Sequence, residues 1–266
     1  MSEAQATFLS DGRLHLHHGP IDLIIEASGP GASAGYERAV RRFQPLLAEL
    51  AAELPALRTD INHGPTICSP VGRSMAAAVQ VFQPTFVTPM AAVAGAVADA
   101  VLAALVGKGI KKAYVNNGGD VTIHLTRGES FTAAVVSEQP SRFKIRHEDP
   151  SRGIATSGWR GRSHSLGIAD AVTVLATTAA EADAAATLIA NAVNLPGHPS
   201  VQRKPASELY PDSDLGQRLV TTGVGPLTIS ETLEALERGR QNASTMLANG
   251  FIHAAALSLN GELIVV

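Results

Sequence analysis

The alternation of apolar and polar positions is clearest at the two ends of the chain. Residues Arg13 to His18 and Asp22 to Ala27 alternate on either side of Gly19-Pro20, as expected for a β-hairpin whose strands bury one face. At the far end, Ile252 to Leu259 and Glu262 to Val266 flank Asn260-Gly261. That dipeptide suits the positive φ angles of a type I′ turn. Lys112 to Asn116, Val121 to Leu125, about Phe131 to Ser137 and the β-branched run Ala171 to Ala176 predict four further strands.

Helical periodicity predicts five helices. The first runs from about Gly35 to Leu54, with a kink or break at Pro45, and the second from Gly72 to Phe82. The third runs from Pro89 to Val106, opening on proline and stopped by Gly107 and Gly109. Thr177 to Asn194 has Thr178 as N-cap and Glu181 in the first turn, and Ser230 to Asn249 closes at Gly250. Thr59 to Pro70 and Pro140 to Arg162 read as loop, and residues 195–226 as an irregular segment. Long helices alternating with hairpins predict an α+β fold, with mixed or antiparallel sheets packed by alanine-rich helices. At 266 residues the chain reads as one domain over 1–266, or as two halves sharing a core.

Composition narrows the function classes. Hydrophobic residues make up 45% and charged residues 17%, enough to bury a core and to exclude general disorder. A formal charge of -3 supplies no field for nucleic acid or an anionic membrane, so neither is expected as a partner. The single cysteine, Cys68, excludes an intrachain disulfide and suits a reducing cytoplasm. The N-terminal MSEAQATFLSDGR carries no signal-peptide pattern. The apolar stretch Pro89 to Val106 is interrupted by Gly95 and Asp99, as in a buried helix rather than a span. A cytoplasmic location follows as an expectation, and a homo-oligomer is compatible with the alanine-rich chain.

Four stretches carry candidate chemistry. Asn116-Asn117-Gly118-Gly119-Asp120 joins two predicted strands, and its glycines let backbone N–H groups meet a ligand; the plain alternative is a hairpin turn. Gly153-Ile154-Ala155-Thr156-Ser157-Gly158 sets hydroxyls between glycines, suited to a phosphate or a ring edge, or simply to a surface loop. Asp183 and Thr187 lie four apart on one helix face, a hard-oxygen pair suited to Mg²⁺ or an ordinary solvated face. Thr88 to Ala96 opens a helix with small residues, where free N–H groups favour anions or a second helix packs closely. His164 is a candidate general base or ligand contact, Asp170 a candidate turn residue, and His253 a core histidine.

In order along the chain these stretches resemble the ApbE superfamily of FAD:protein FMN transferases. VNNGGDV is similar to that family's Asn-x-Gly-Gly-Asp turn, GIATSG to its Ala-Thr-Ser-Gly element, and AVTVLATTAAEADAAAT to its Val-Thr-Val strand and Ala-Asp-Ala-x-x-Thr helix. SPVGRSM, TPMAAVAGAVAD and SLGIADAVTV look closer still to a poorly characterised, non-lipoprotein branch. The resemblance implies Mg²⁺ held by Asp183, Thr187 and a backbone carbonyl at about Val93. It implies FAD or another phosphorylated cofactor bound by Asn117, Gly118, Gly119, Asp120, Thr156, Ser157, Gly158 and Gly95; beside it, His164 and Asp120 stand as the candidate catalytic groups. The implied chemistry is FMN transfer or cleavage of the FAD pyrophosphate. Two features depart from the family: its Lys-Gly dipeptide is Ala94-Gly95 here, and its His-Ile-Ile-Asp-Pro loop is cut away between His164 and Val172. A cofactor-biosynthesis enzyme with another ligand, or a non-catalytic nucleotide-binding module, therefore stand as alternatives.

Overall fold

A computed structural model describes residues 3–135 and 141–266. Its first half runs β1 (Gln5–Phe8), β2 (Leu14–His18), β3 (Ile21–Ser28), α1 (Ala32–Ala52), α2 (Leu54–Leu57), α3 (Pro70–Gln80), α4 (Val93–Leu105), β4 (Lys112–Asn117) and β5 (Asp120–Leu125). The second runs β6 (Ser130–Val135), β7 (Ser141–Arg146), β8 (Gly153–Ser157), β9 (Ala171–Ala176), α5 (Ala179–Ala192), β10 (Val201–Pro205), α6 (Ala206–Leu209), β11 (Leu219–Val224), α7 (Ile229–Ala248), β12 (Ala254–Leu259) and β13 (Glu262–Val265).

Nine strands form one antiparallel sheet in the order β1-β2-β3-β4-β5-β8-β9-β12-β13. This is the expected α+β architecture. α1 covers β2 and β3, α4 covers β4 and β5, α5 covers β8 and β9, and α7 covers β12 and β13. Alternation does the work in the outer strands: Leu14 and Leu16 of β2, and Ile21, Leu23 and Ile25 of β3, all point into the helical layer. On the opposite face the β6–β7 hairpin encloses a smaller cluster of Ile123, Leu125, Ile145 and Ile154.

Several expectations are corrected. α1 continues through Pro45, because Ala39, Phe43, Leu46 and Leu50 form one buried stripe while Arg41 and Pro45 face water. The first turn of the predicted Pro89 helix is a separate 3₁₀ turn, Pro89–Ala92. The segment read as loop up to Arg162 holds two strands, β7 and β8. Gly153, Ile154 and Ala155 of β8 are buried, and a side chain at Gly153 would collide with the Thr178 carbonyl. Those small residues mark close packing of a strand under α5 rather than a turn. Residues 195–226 are not irregular: β10 and β11 form an antiparallel hairpin, with α6 between them. The alternation in β10 is faint because its five residues are only half-buried or exposed. β1, wholly exposed, left no pattern to read. Of the predicted Phe131 to Ser137 strand, Val136 and Ser137 lie outside the described residues, as does Pro140.

Candidate functional site

The site begins where α4 meets α5. Gly95 faces the α5 backbone so closely that any side chain would strike the carbonyl of Ala179. That approach lets the Gly95 N–H donate to Asp183 Oδ2 at 3.1 Å. One turn along α4, Asp99 accepts from the amides of Ala179 at 3.2 Å and Ala180 at 2.9 Å. Asn117, buried at the end of β4, donates from Nδ2 to the Ala94 carbonyl at 3.0 Å. Asp120, buried at the start of β5, accepts from the Thr156 amide at 3.2 Å. Thr156 in turn shares a 2.9 Å hydroxyl–hydroxyl bond with Thr173 of β9.

Three carboxylates are thereby held in low-dielectric surroundings. Burial pushes Asp120 up to about 7. Asp183 rises well above the usual carboxylate range, first through burial and then through the neighbouring charge of Asp120, and the amides of Gly95 and Ala94 only partly offset this. Burial also raises Asp99, against its amide partners. Among the described residues none of the three forms an ion pair.

Beside this cluster lies a cleft of about 880 Å³. The β4–β5 turn supplies Asn116, Gly118 and Gly119 to its wall. Both glycines have positive φ, 64° and 118°, and Asn116 Oδ1 accepts from the Gly119 amide at 2.8 Å. The end of β8 adds Thr156 and Ser157, followed by Gly158 and Arg160. Phe131, Ala133 and Ala134 close one side and Gly261 to Leu263 another. Asp170 braces the rim. It accepts from Trp159 Nε1 at 3.2 Å, Arg160 Nε at 2.7 Å and the Asn260 amide at 2.7 Å.

Gly118, Gly119, Thr156, Ser157 and Gly158 thus line the cleft together. Asn117 and Asp120 stand behind that wall, Asn117 tied to α4 and Asp120 to Thr156. Gly95 and Asp183 meet each other at the helix crossing. Val93 opens α4, and Thr187 is partly exposed one turn beyond Asp183, its hydroxyl unbonded among the described residues. His164 does not join them. Its ring lies 5.1 Å from that of Tyr210, and its Nε2 is buried without a hydrogen-bond partner among the described residues. The cause is next door: Leu166 is held by Asn191 through its amide and by Arg203 through its carbonyl, which draws this segment towards the β10–β11 hairpin. His253 bonds Ser151 Oγ through Nδ1 at 2.8 Å. Among the described residues no group of three or more His, Cys, Asp and Glu is arranged to hold a metal. The walls from β6 and from residues 261–263 were missed by sequence reasoning, because only the tertiary fold brings them to β8.

Fold and site define an α+β protein with a glycine-walled cleft of small-molecule size beside a largely buried acidic cluster. The chain belongs to the family described as AbpE bacteria, whose model matches residues 6–265. A UPF0280 protein of Methanothermobacter thermautotrophicus is 41% identical over 119 residues, 41% of this chain and 44% of that one. A UPF0280 protein of Archaeoglobus fulgidus is 40% identical over 126 residues, 47% of this chain and 52% of that one. A third, of Methanopyrus kandleri, is 36% identical over 178 residues, 64% of this chain and 69% of that one. The chain spans about half the length of the first two relatives. Among solved structures, the apo flavinyl transferase ApbE of Pseudomonas stutzeri aligns with a TM-score of 0.42 at 12% identity, covering 100% of this chain and 95% of that one. No helix among the described residues is long and apolar enough to cross a membrane.

Proposed function

We propose that the chain binds a flavin nucleotide, FAD first among candidates, with Mg²⁺, and that it acts on the pyrophosphate by FMN transfer or by hydrolysis. One observation carries this reading: the half-buried Asp183 and the buried Asp120 stand together with no ion-pair partner among the described residues, at the open end of α4 and behind the wall of the glycine-lined cleft. A carboxyl pair of this kind holds its protons until a cation displaces them, and a bound divalent ion would supply the missing positive charge. The donors fit a hard divalent ion: the Asp183 carboxylate, the Thr187 hydroxyl and a carbonyl at the start of α4, near Val93. When bound, Mg²⁺ would neutralise pyrophosphate charge and fix its orientation.

The chain's own residues supply the rest. The Gly118 backbone N–H and the Ser157 hydroxyl in the cleft wall offer donors to phosphate oxygens, while the Gly119 and Thr156 amides are held by Asn116 and Asp120 and fix the shape of that wall. Phe131, Ile154 and Leu263 give a ring system apolar surface and keep water from it. Asp120 fixes Thr156, and through it the end of β8, and is the candidate acid–base group beside the cleft. His164, turned to Tyr210, has no role in this proposal. A second reading, another phosphorylated ligand or a non-catalytic nucleotide holder, is favoured by Ala94, whose carbonyl is occupied by Asn117 and whose side chain offers no cation.

The test is calorimetric titration with FAD, with and without Mg²⁺, on wild type and Asp183→Ala. Micromolar binding that requires Mg²⁺ and is lost in the variant supports the site, and product analysis for FMN then separates transfer from hydrolysis. No heat with FAD under any condition removes the flavin assignment.

A further inference from the structure

A second cavity, of about 470 Å³, shares no lining residue with the cleft. It lies where the end of α5, the face of α7 and the turn after α3 meet the start of β11. Its floor is apolar: Phe82 and Phe251 meet edge to face at 5.7 Å, with Leu188 and Met246 beside them. Two polar features on its wall lack a hydrogen-bonding or ionic partner among the described residues. Asn242 Oδ1 is buried with no hydrogen bond among the described residues, a destabilising state unless something in the cavity donates to it. Arg218 at the rim stacks over the Phe86 ring at 3.2 Å and forms no ion pair among the described residues.

We infer that this cavity is a second ligand site, for a small planar organic carboxylate that carries a hydrogen-donor substituent. Each part of the ligand answers one feature. The edge-to-face phenylalanines favour an aromatic body. Stacking on Phe86 restricts the Arg218 guanidinium and leaves its edge N–H groups for a carboxylate, which the planar fork matches bidentately. The orphan carbonyl of Asn242 asks for a hydroxyl or an N–H. Asn191 accepts from Ser165 and Leu166 through Oδ1, so its Nδ2 remains to donate into the same space. The volume is near the lower end of ligand pockets and suits one or two rings rather than a dinucleotide. Nothing here depends on the flavin reading.

Ligand-observed NMR with 4-hydroxybenzoate, benzoate and 4-hydroxybenzamide tests the assignment. The hydroxybenzoate should bind wild type most tightly. Arg218→Gln should weaken it about tenfold or more, and Asn242→Leu should reduce it to the benzoate level while leaving benzoate unchanged. Asp183→Ala and excess FAD should alter neither. Failure of all three compounds to bind, binding indifferent to Arg218→Gln, or displacement by FAD would overturn the inference. So would a dimer, detected by sedimentation and dispersed by Arg218→Gln, because a second copy would then be the occupant. Arg218 is exposed, so its variant should fold like wild type.

Discussion

The N-terminal ends of α4 and α5 are built from similar parts and are finished differently. α5 is capped twice over. Thr178 accepts from the Glu181 amide while Glu181 accepts from the Thr178 amide, and Asp99 reaches across from α4 to take Ala179 and Ala180. α4 has no side-chain cap at Ala92 and no acidic residue in its first turn. It relies on Asp183, which reaches across from α5 to Gly95. Each helix therefore lends a carboxylate to the other. Asp99 joins an end already closed, whereas the half-buried Asp183 shares its end with the buried carboxyl of Asp120 and a ligand-sized cleft. An arrangement that gathers like charges when a neutral cap would serve is a local conflict, and such conflicts concentrate at functional sites.

The largest change breaks both ends at once. Gly95→Ala sets a methyl group against the Ala179 backbone, which has no rotamer by which to yield. We expect a loss of roughly 3 kcal/mol or more, seen as a collapse of the thermal unfolding midpoint or as insoluble protein. A variant as stable as wild type would show that the helices do not touch there. Next comes Asp99→Ala, which strips two amides at the α5 end. A loss of about 1–3 kcal/mol is expected in chemical denaturation, with the proposed FAD binding unchanged in the folded protein. If instead affinity falls and stability does not, the division of labour between the two carboxylates is reversed.

A third change sharpens the comparison through pH. Asp120 titrates at about 7 in the fold against an ordinary 3.8, so the folded state holds its proton more tightly than the unfolded chain. Its contribution favours folding below about pH 4 and is lost as pH rises through 7. Asp120→Asn removes that dependence. It should melt several degrees above wild type at pH 8 and close to it at pH 4, when both are measured without divalent ions. A wild type that gains on the variant as pH rises would mean that Asp120 has a cationic partner after all.

Local signals carried much of this into the sequence. Thr178 with Glu181 announces α5, and Asn260-Gly261 takes the positive φ values, 51° and 82°, that its residue types invite. The Asn-Gly-Gly-Asp turn and the Asp183 to Thr187 spacing were visible for the same reason: each lies within five residues. What was hidden depends on distant partners. Asp99 and the α5 amides it holds are 80 and 81 positions apart, so its capping role has no sequence signature. β8 reads as loop in the sequence because glycine and hydroxyl residues serve equally in turns and beneath a closely packed helix. His164 looked like site chemistry because its neighbours are, yet contacts from the β10–β11 hairpin decide where it points.

Asp183→Asn should disturb the fold least and the site most. The amide oxygen can still accept from Gly95, the volume is unchanged, and the charge that burial and Asp120 both oppose is gone. In the absence of divalent ions the variant should therefore unfold at the wild-type temperature or slightly above it. Added Mg²⁺ separates the two proteins. If Asp183 exists to hold a cation, wild type alone gains stability with rising Mg²⁺, as a ligand that binds only the folded state requires. If Asp183 is only the cap of α4, neither protein responds, and its difference from Asp99 reduces to which helix each one closes.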